Sequence, residues 1–158
     1  MNEIAPEAAD EAALLEDLLD AIADALQLDA DVTVDYDDGV LTGSLDGDDL
    51  GLFIGRHGQT IDAVQHLAQR IVLKGGESEV HLLVDADGYR GRREKALHAE
   101  ADDAAARAVR TGRAVELSRM PALERRVVHE YLRDREEVET YSEGEEPDRY
   151  LVVAPTRD

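Results

Sequence analysis

The sequence predicts an α+β protein of two small domains. Helical and alternating apolar patterns interleave along the chain instead of forming one block. Its 158 residues suffice for one ordinary core or two small ones. A composition of 43% hydrophobic and 34% charged residues describes a soluble globular chain. The expected division is an acidic extension over residues 1–10, a first domain over 11–86 and a second over 87–158.

An amphipathic helix is predicted over about Asp10 to Leu26, with Leu14, Leu15, Leu18, Leu19, Ile22, Ala25 and Leu26 as its apolar side. Val32-Thr33-Val34-Asp35-Tyr36 alternates, Asp37-Asp38-Gly39 signals a turn, and Val40 to Leu45 supplies the second strand of a hairpin. Asp49 to Phe53 reads as one helical turn. A helix from about Gln59 to Val72 places Ile61, Val64, Ala68 and Ile71 on one face, with Gly75-Gly76 as its stop. Glu79 to Val84 alternates as a third strand. A long helix then runs to about Arg110, burying Leu97, Ala101, Ala104, Ala105, Ala108 and Val109 and stopping at Thr111-Gly112. A short strand near Ala114 to Leu117 follows. Pro121 suits the first position of the next helix, which extends to about Asp134, and Tyr150 to Val153 reads as a last strand.

Charge narrows the function. The net charge of -20 opposes a polyanionic partner at long range, but its distribution is uneven. Residues 1–50 carry sixteen acids and no Lys or Arg, whereas residues 51–133 carry fourteen basic against twelve acidic residues. The tail, 134–158, returns to three basic against nine acidic. With no cysteine, disulfides and thiolate metal sites are excluded. Met1 to Pro6 lacks the basic-then-apolar order of a secretory signal, and no apolar run reaches membrane-spanning length, so a cytoplasmic location without membrane insertion is expected.

The stretch that carries most chemistry is Ile54-Gly55-Arg56-His57-Gly58. Glycine lacks a β-carbon, so Gly55 and Gly58 allow a sugar-phosphate chain to approach the backbone. The helix beyond offers free N–H groups and its positive dipole end at the same place. Arg56 adds a permanent charge and His57 a titratable one. Further on, Arg90, Arg92 and Arg93 stand in the first turn of the long helix, where acids are favoured. An anionic partner would explain that exception, and so would solvent exposure.

On the helix after Pro121, Leu123, Val127, Val128, Tyr131 and Leu132 are expected to face inward, while Arg125, Arg126, His129 and Arg133 form a cationic stripe. Arg125 and His129 are four residues apart and therefore neighbours on one surface.

Other chemistries fit less well. Asp85, Asp87, Gly88 and Glu94 match positions three, five, six and twelve of a calcium loop, but position one would be Leu83, which cannot ligate. The histidines show no zinc spacing, so no metal is expected. No nucleophile and base are marked out by spacing, so neither an enzyme nor a cofactor is expected.

The order helix, strand, strand, helix, loop, helix, strand, with Gly-x-x-Gly between the last two helices, resembles a KH domain of the prokaryotic topology. In that family the loop clamps the backbone of a short single strand. The resemblance assigns the clamp to Gly55, Arg56, His57 and Gly58. Arg125-x-x-x-His129, followed by Glu139-Thr140-Tyr141-Ser142-Glu143-Gly144-Glu145-Glu146-Pro147-Asp148-Arg149 and an apolar strand, resembles an R-x-x-x-H (R-three-H) domain of helices packed on a small sheet. Together with Asp85-x-x-Gly88-Tyr89-Arg90-x-Arg92-Arg93-Glu94, the series resembles the bacterial Jag family (SpoIIIJ-associated proteins, KhpB).

That resemblance implies a non-catalytic, cytoplasmic protein that binds single-stranded RNA, with single-stranded DNA as a second ligand. Gly55 to Gly58 would fix the strand's backbone, and Arg125, Arg126 and His129 would hold a further phosphate or a strand end. It also implies a role in cell elongation or division, as an RNA chaperone or post-transcriptional regulator, and a smaller KH protein as partner. Many members carry a separate small domain ahead of the KH domain. Only about ten residues precede the first helix here, so the RNA-contacting half of the pattern is what the resemblance carries over. The competing expectation is a protein–protein adaptor that docks through its acidic first helix and tail.

Overall fold

Asp38 and Gly39, both with positive φ (46° and 80°), turn the chain back on itself between β1 (Ala30–Asp37) and β2 (Val40–Gly47). These angles suit a two-residue hairpin whose twist matches that of its strands. In the computed structural model, which describes residues 8–74 and 79–156, the chain divides into two compact units, Met1–Arg90 and Gly91–Asp158. The expected extension over residues 1–10 falls largely outside the described residues, as does the Gly75-Gly76 stop.

In the first unit, helix α1 (Ala9–Ala25) precedes the hairpin. Helix α2 (Gly51–Ile54), the glycine loop, and α3 (Gln59–Val72) then cross to β3 (His81–Ala86). The sheet order is β1-β2-β3, with β1 antiparallel and β3 parallel to β2. A parallel pair requires such a crossover, and here the crossover carries the loop. The core joins Leu15 and Leu19 of α1, Leu41 and Leu45 of β2, Phe53 of α2, Ile61 of α3 and Val84 of β3, all fully buried. Burying Phe53, the chain's single phenylalanine, stabilises the fold by about 2–3 kcal/mol and fixes α2 two residues ahead of Gly55.

In the second unit, helix α4 (Tyr89–Thr111), whose first two residues belong to the first unit, leads to β4 (Val115–Glu116), α5 (Ala122–Leu132), β5 (Val138–Glu143) and β6 (Tyr150–Pro155). The three strands form an antiparallel sheet in the order β4-β6-β5. Its core is built from Leu97, Ala101, Ala104 and Ala108 of α4, Val128 and Leu132 of α5, and Leu151 and Val153 of β6. Alanines on one side of α4 let that helix pack closely. The molecule is therefore α+β, with two small sheets.

Several inward assignments shift. Ile71 and Val109 are nearly half exposed, as is Leu14. The buried line of α3 runs through Ile61, Val64, Ala68 and Val72, which places Ile71 a quarter-turn away. The same step takes Val109 off the stripe through Ala101, Ala104, Ala105 and Ala108. On α5 the correction is larger. Leu123 is exposed, and the buried line contains Glu124, Arg125, Val128 and Leu132. Pro121 caps that helix with an extended ψ of 158°, so Ala122 takes the first helical position expected for the proline.

Candidate nucleic-acid interface

The glycine loop is a single tight turn, Arg56–Gly58, set between two helices. Gly55 has φ 72° and ψ 176°, a conformation essentially confined to glycine, and Gly58 is left-handed at φ 73°. A β-carbon on Gly55 would lie 2.2 Å from Thr60 Oγ1, and one on Gly58 would lie 2.9 Å from Tyr89 Cε1. The loop's own packing thus requires both glycines. Between them Arg56 is exposed and His57 half-buried, in a left-handed conformation (φ 54°, ψ 28°). No side chain caps the N-terminus of α3, so the first-turn N–H groups add positive potential beside Arg56.

A network behind the loop holds it in place. Arg90 donates from Nε to the Val84 carbonyl at 2.7 Å, from Nη1 to Asp62 Oδ1 at 2.9 Å and from Nη2 to Gln65 Oε1 at 3.0 Å. Gln65 Oε1 also accepts the Val84 N–H at 3.1 Å. Asp85 Oδ1 accepts the N–H groups of Ala86 and Arg90, at 2.8 and 3.2 Å. The Asp-x-x-Gly-Tyr-Arg segment therefore ties β3 to α3, while Tyr89 packs under Gly58. The expected anionic partner of Arg90 is internal. So is that of Arg93, which makes a two-pronged bond to the buried Glu124 at 2.7 and 2.8 Å. Arg92 lies exposed.

In the second unit Arg125, Arg126 and His129 line one cavity of about 440 Å³ together with Thr140, Ser142 and Arg149. Only part of the predicted stripe faces solvent. The side chain of Arg125 is 8% exposed, donates to the Met120 carbonyl at 2.7 Å and pairs with Glu146. Arg126 is exposed and joined to Glu130 one turn along at 2.9 Å. That bond holds the Glu130 carboxyl below its ordinary value and raises Arg126 above its own. His129 Nδ1 lies 2.5 Å from Thr140 Oγ1, across from α5 on β5.

Arg149 is the residue that sequence reasoning did not select as a site. It precedes β6, lines the cavity, and its Nε is buried without a hydrogen-bond partner. Leaving such a donor unmet costs about 1–3 kcal/mol. The motif containing Arg149 was visible in the sequence, but helical spacing relates only Arg125, Arg126 and His129, and no local rule brings residue 149 to them.

Residues 12–84 match the KhpA/KhpB KH domain, and residues 95–155 match the R-three-H domain. The chain is 40% identical over 152 residues to the RNA-binding protein KhpB of Lactiplantibacillus plantarum, covering 95% of this chain and 47% of that protein. It is 34% identical to the RNA-binding protein KhpB of Clostridium symbiosum, covering 90% of this chain and 65% of the relative. Against the Bacillus subtilis RNA-binding protein KhpB it is 31% identical, with 88% and 68% covered. The chain thus spans about half to two thirds of the length of these relatives. With the KH motif in the first unit, the R-x-x-x-H motif in the second and both in the order of relatives matched along most of the chain, the protein belongs to the KhpB (Jag) family.

Proposed function

We propose that the chain binds single-stranded RNA in the cytoplasm, without catalysis, and acts as an RNA chaperone or post-transcriptional regulator tied to cell elongation or division. The observation that carries the RNA reading is the glycine loop. It offers Arg56, His57 and the uncapped start of α3 from one turn, braced by Arg90 and Tyr89 from behind. The cavity lined by Arg125, Arg126 and His129 offers the second unit a phosphate contact of its own. The relatives' name, RNA-binding protein KhpB, supports RNA as the ligand, and the Jag resemblance supports the cellular role. A smaller KH protein is the proposed partner, since the matched KH domain carries both KhpA and KhpB in its name.

Binding to a mixed single-stranded RNA pool across a salt series tests this reading. Wild type, His57→Asp and an Arg126→Ala/His129→Ala variant are compared after each is checked for folding. Phosphate-centred binding falls steeply with added salt. Loss in both variants indicates two contacting units, and loss in one locates the active unit. Absence of wild-type binding would favour the adaptor reading, in which the exposed Glu16, Asp17, Asp20 and Asp24 of α1 dock a basic protein.

A further inference from the structure

We infer that the face of the second sheet turned away from α4 and α5 is a docking surface for a protein partner whose contacting segment is rich in arginine. This contact goes beyond the proposed RNA sites and does not depend on them. The strand register defines the face. Val115, Val138, Leu151 and Val153 belong to the core side of the sheet, so Glu116 of β4, Glu139, Tyr141 and Glu143 of β5, and Tyr150 and Val152 of β6 lie on the other. A sheet face that meets only water is polar and alternates with the buried one. β6 breaks that pattern: Val152 and Ala154 are 2% and 9% exposed and belong to neither core. Tyr141, the cross-strand partner of Val152, is 42% exposed, more open than any other aromatic side chain among the described residues. An apolar strip with an open tyrosine beside it and a polar rim has the anatomy of a protein interface.

The rim sets the sign of the partner. Glu116, Glu139 and Glu143 are exposed, and the three strands contain no Lys, Arg or His. Glu143 accepts the Tyr150 hydroxyl at 3.2 Å. That bond chiefly raises the hydroxyl above its ordinary value, and Glu116 and Tyr141 add to the shift, as groups on one shared surface do. Such a surface repels a nucleic-acid backbone, and equally the same face of a second copy. A guanidinium fits it best, because it stacks on a tyrosine ring and also pairs with a neighbouring carboxylate through two parallel bonds. An ammonium supplies only a point charge.

The test uses the whole chain with an acetylated, amidated hexa-arginine peptide, and hexa-lysine as the comparison of equal charge. Salt is held at about 0.15 M, where long-range attraction to the chain's net charge is largely screened. Tyrosine ring resonances, assigned by their loss in Tyr141→Leu and Tyr150→Phe, report the site by NMR. We expect both rings to shift saturably with hexa-arginine, which should bind about threefold more tightly than hexa-lysine. Tyr141→Leu should erase that preference. Glu116→Gln/Glu139→Gln should weaken both peptides about fivefold, and it keeps the test readable if Tyr141→Leu fails to fold. Glu16→Gln/Asp17→Asn, which removes the same charge from α1, should leave both affinities within about twofold of wild type. Equal loss in the α1 variant, or peptide binding that leaves the two rings unmoved, overturns the assignment. Because Tyr141 also borders the cavity beside α5, Tyr150 is the reporter for RNA. A saturable shift of its ring with single-stranded RNA alone assigns the face to nucleic acid and overturns the proposal. Self-association by sedimentation that Glu116→Gln/Glu139→Gln abolishes assigns it to a second copy, and does the same.

Discussion

Arg125 and Arg126 are adjacent in sequence and opposite in circumstance. The first is buried, with an acceptor in the Met120 carbonyl and a partner in Glu146, and the second is exposed on an exchangeable pair. Arg125→Ala should destabilise the fold by about 2 kcal/mol, measured as a lower urea midpoint. Arg125→Lys should recover little of that, since one ammonium cannot reproduce both bonds of the fork. Arg126→Ala should leave the midpoint nearly unchanged and instead reduce RNA affinity and the salt slope. A second residue-scale prediction concerns Asp102, which accepts hydrogen bonds from Arg135 and from Tyr131 Oη, the latter at 3.1 Å. The Arg135 bond chiefly holds its carboxyl below the ordinary value of 3.8. A depressed folded-state pKa contributes stability above the unfolded value and loses it as pH falls through the folded value. Asp102→Asn should therefore lower the unfolding free energy at neutral pH by a few tenths of a kcal/mol, about what a half-exposed pair contributes, read as a slightly lower urea midpoint. The gap to wild type should close as the solution is acidified below that range.

The start of α4 works as a brace for the element beside it. Arg90 bonds Asp62 and Gln65 of α3 and the Val84 carbonyl of β3, so it fixes the helix whose N-terminus abuts the glycine loop. Arg90→Ala should weaken RNA binding several-fold without removing any ligand contact, by loosening the loop. Its signature is faster amide hydrogen exchange at Gly55 to Gln59, with the second unit unaffected. At this scale the sequence was legible where one physical rule acts alone. Periodicity and the Gly-x-x-Gly loop give α3 its observed bounds, Gln59–Val72, and the Asp-Asp-Gly turn gives the hairpin. It was not legible where charges pair across elements. Glu124 and Arg125 look like solvent-facing residues until Arg93 and Glu146 are brought to them by the fold, 31 and 21 residues away. Their burial displaces Leu123 to the surface, and no single-helix pattern carries that information. Arg149 was hidden for the same reason: its place in the cavity is set by the pairing of β5 with β6.

Over the whole chain, the candidate RNA contacts must act against a net charge of -20. The acids of α1, Glu16, Asp17, Asp20 and Asp24, are exposed and belong to the same unit as the glycine loop. Such charges act at long range only when salt is low, because the Debye length falls from about 30 Å at 0.01 M to about 10 Å at 0.1 M ionic strength. Neutralising all four, as Glu16→Gln, Asp17→Asn, Asp20→Asn and Asp24→Asn, should raise the association rate with RNA at low salt and leave it nearly unchanged near 0.15 M. Dissociation should change little, since none of the four belongs to the loop or the cavity. Stopped-flow measurements at two ionic strengths separate the cases. A rate gain confined to low salt assigns these acids to long-range repulsion that restrains non-specific capture of polyanions. An undiminished gain at high salt would instead place them in direct contact with the strand. If the quadruple variant binds RNA as wild type does under both conditions but loses a protein partner recovered with the intact chain, the acidic face is a docking surface and the glycine loop works independently of it.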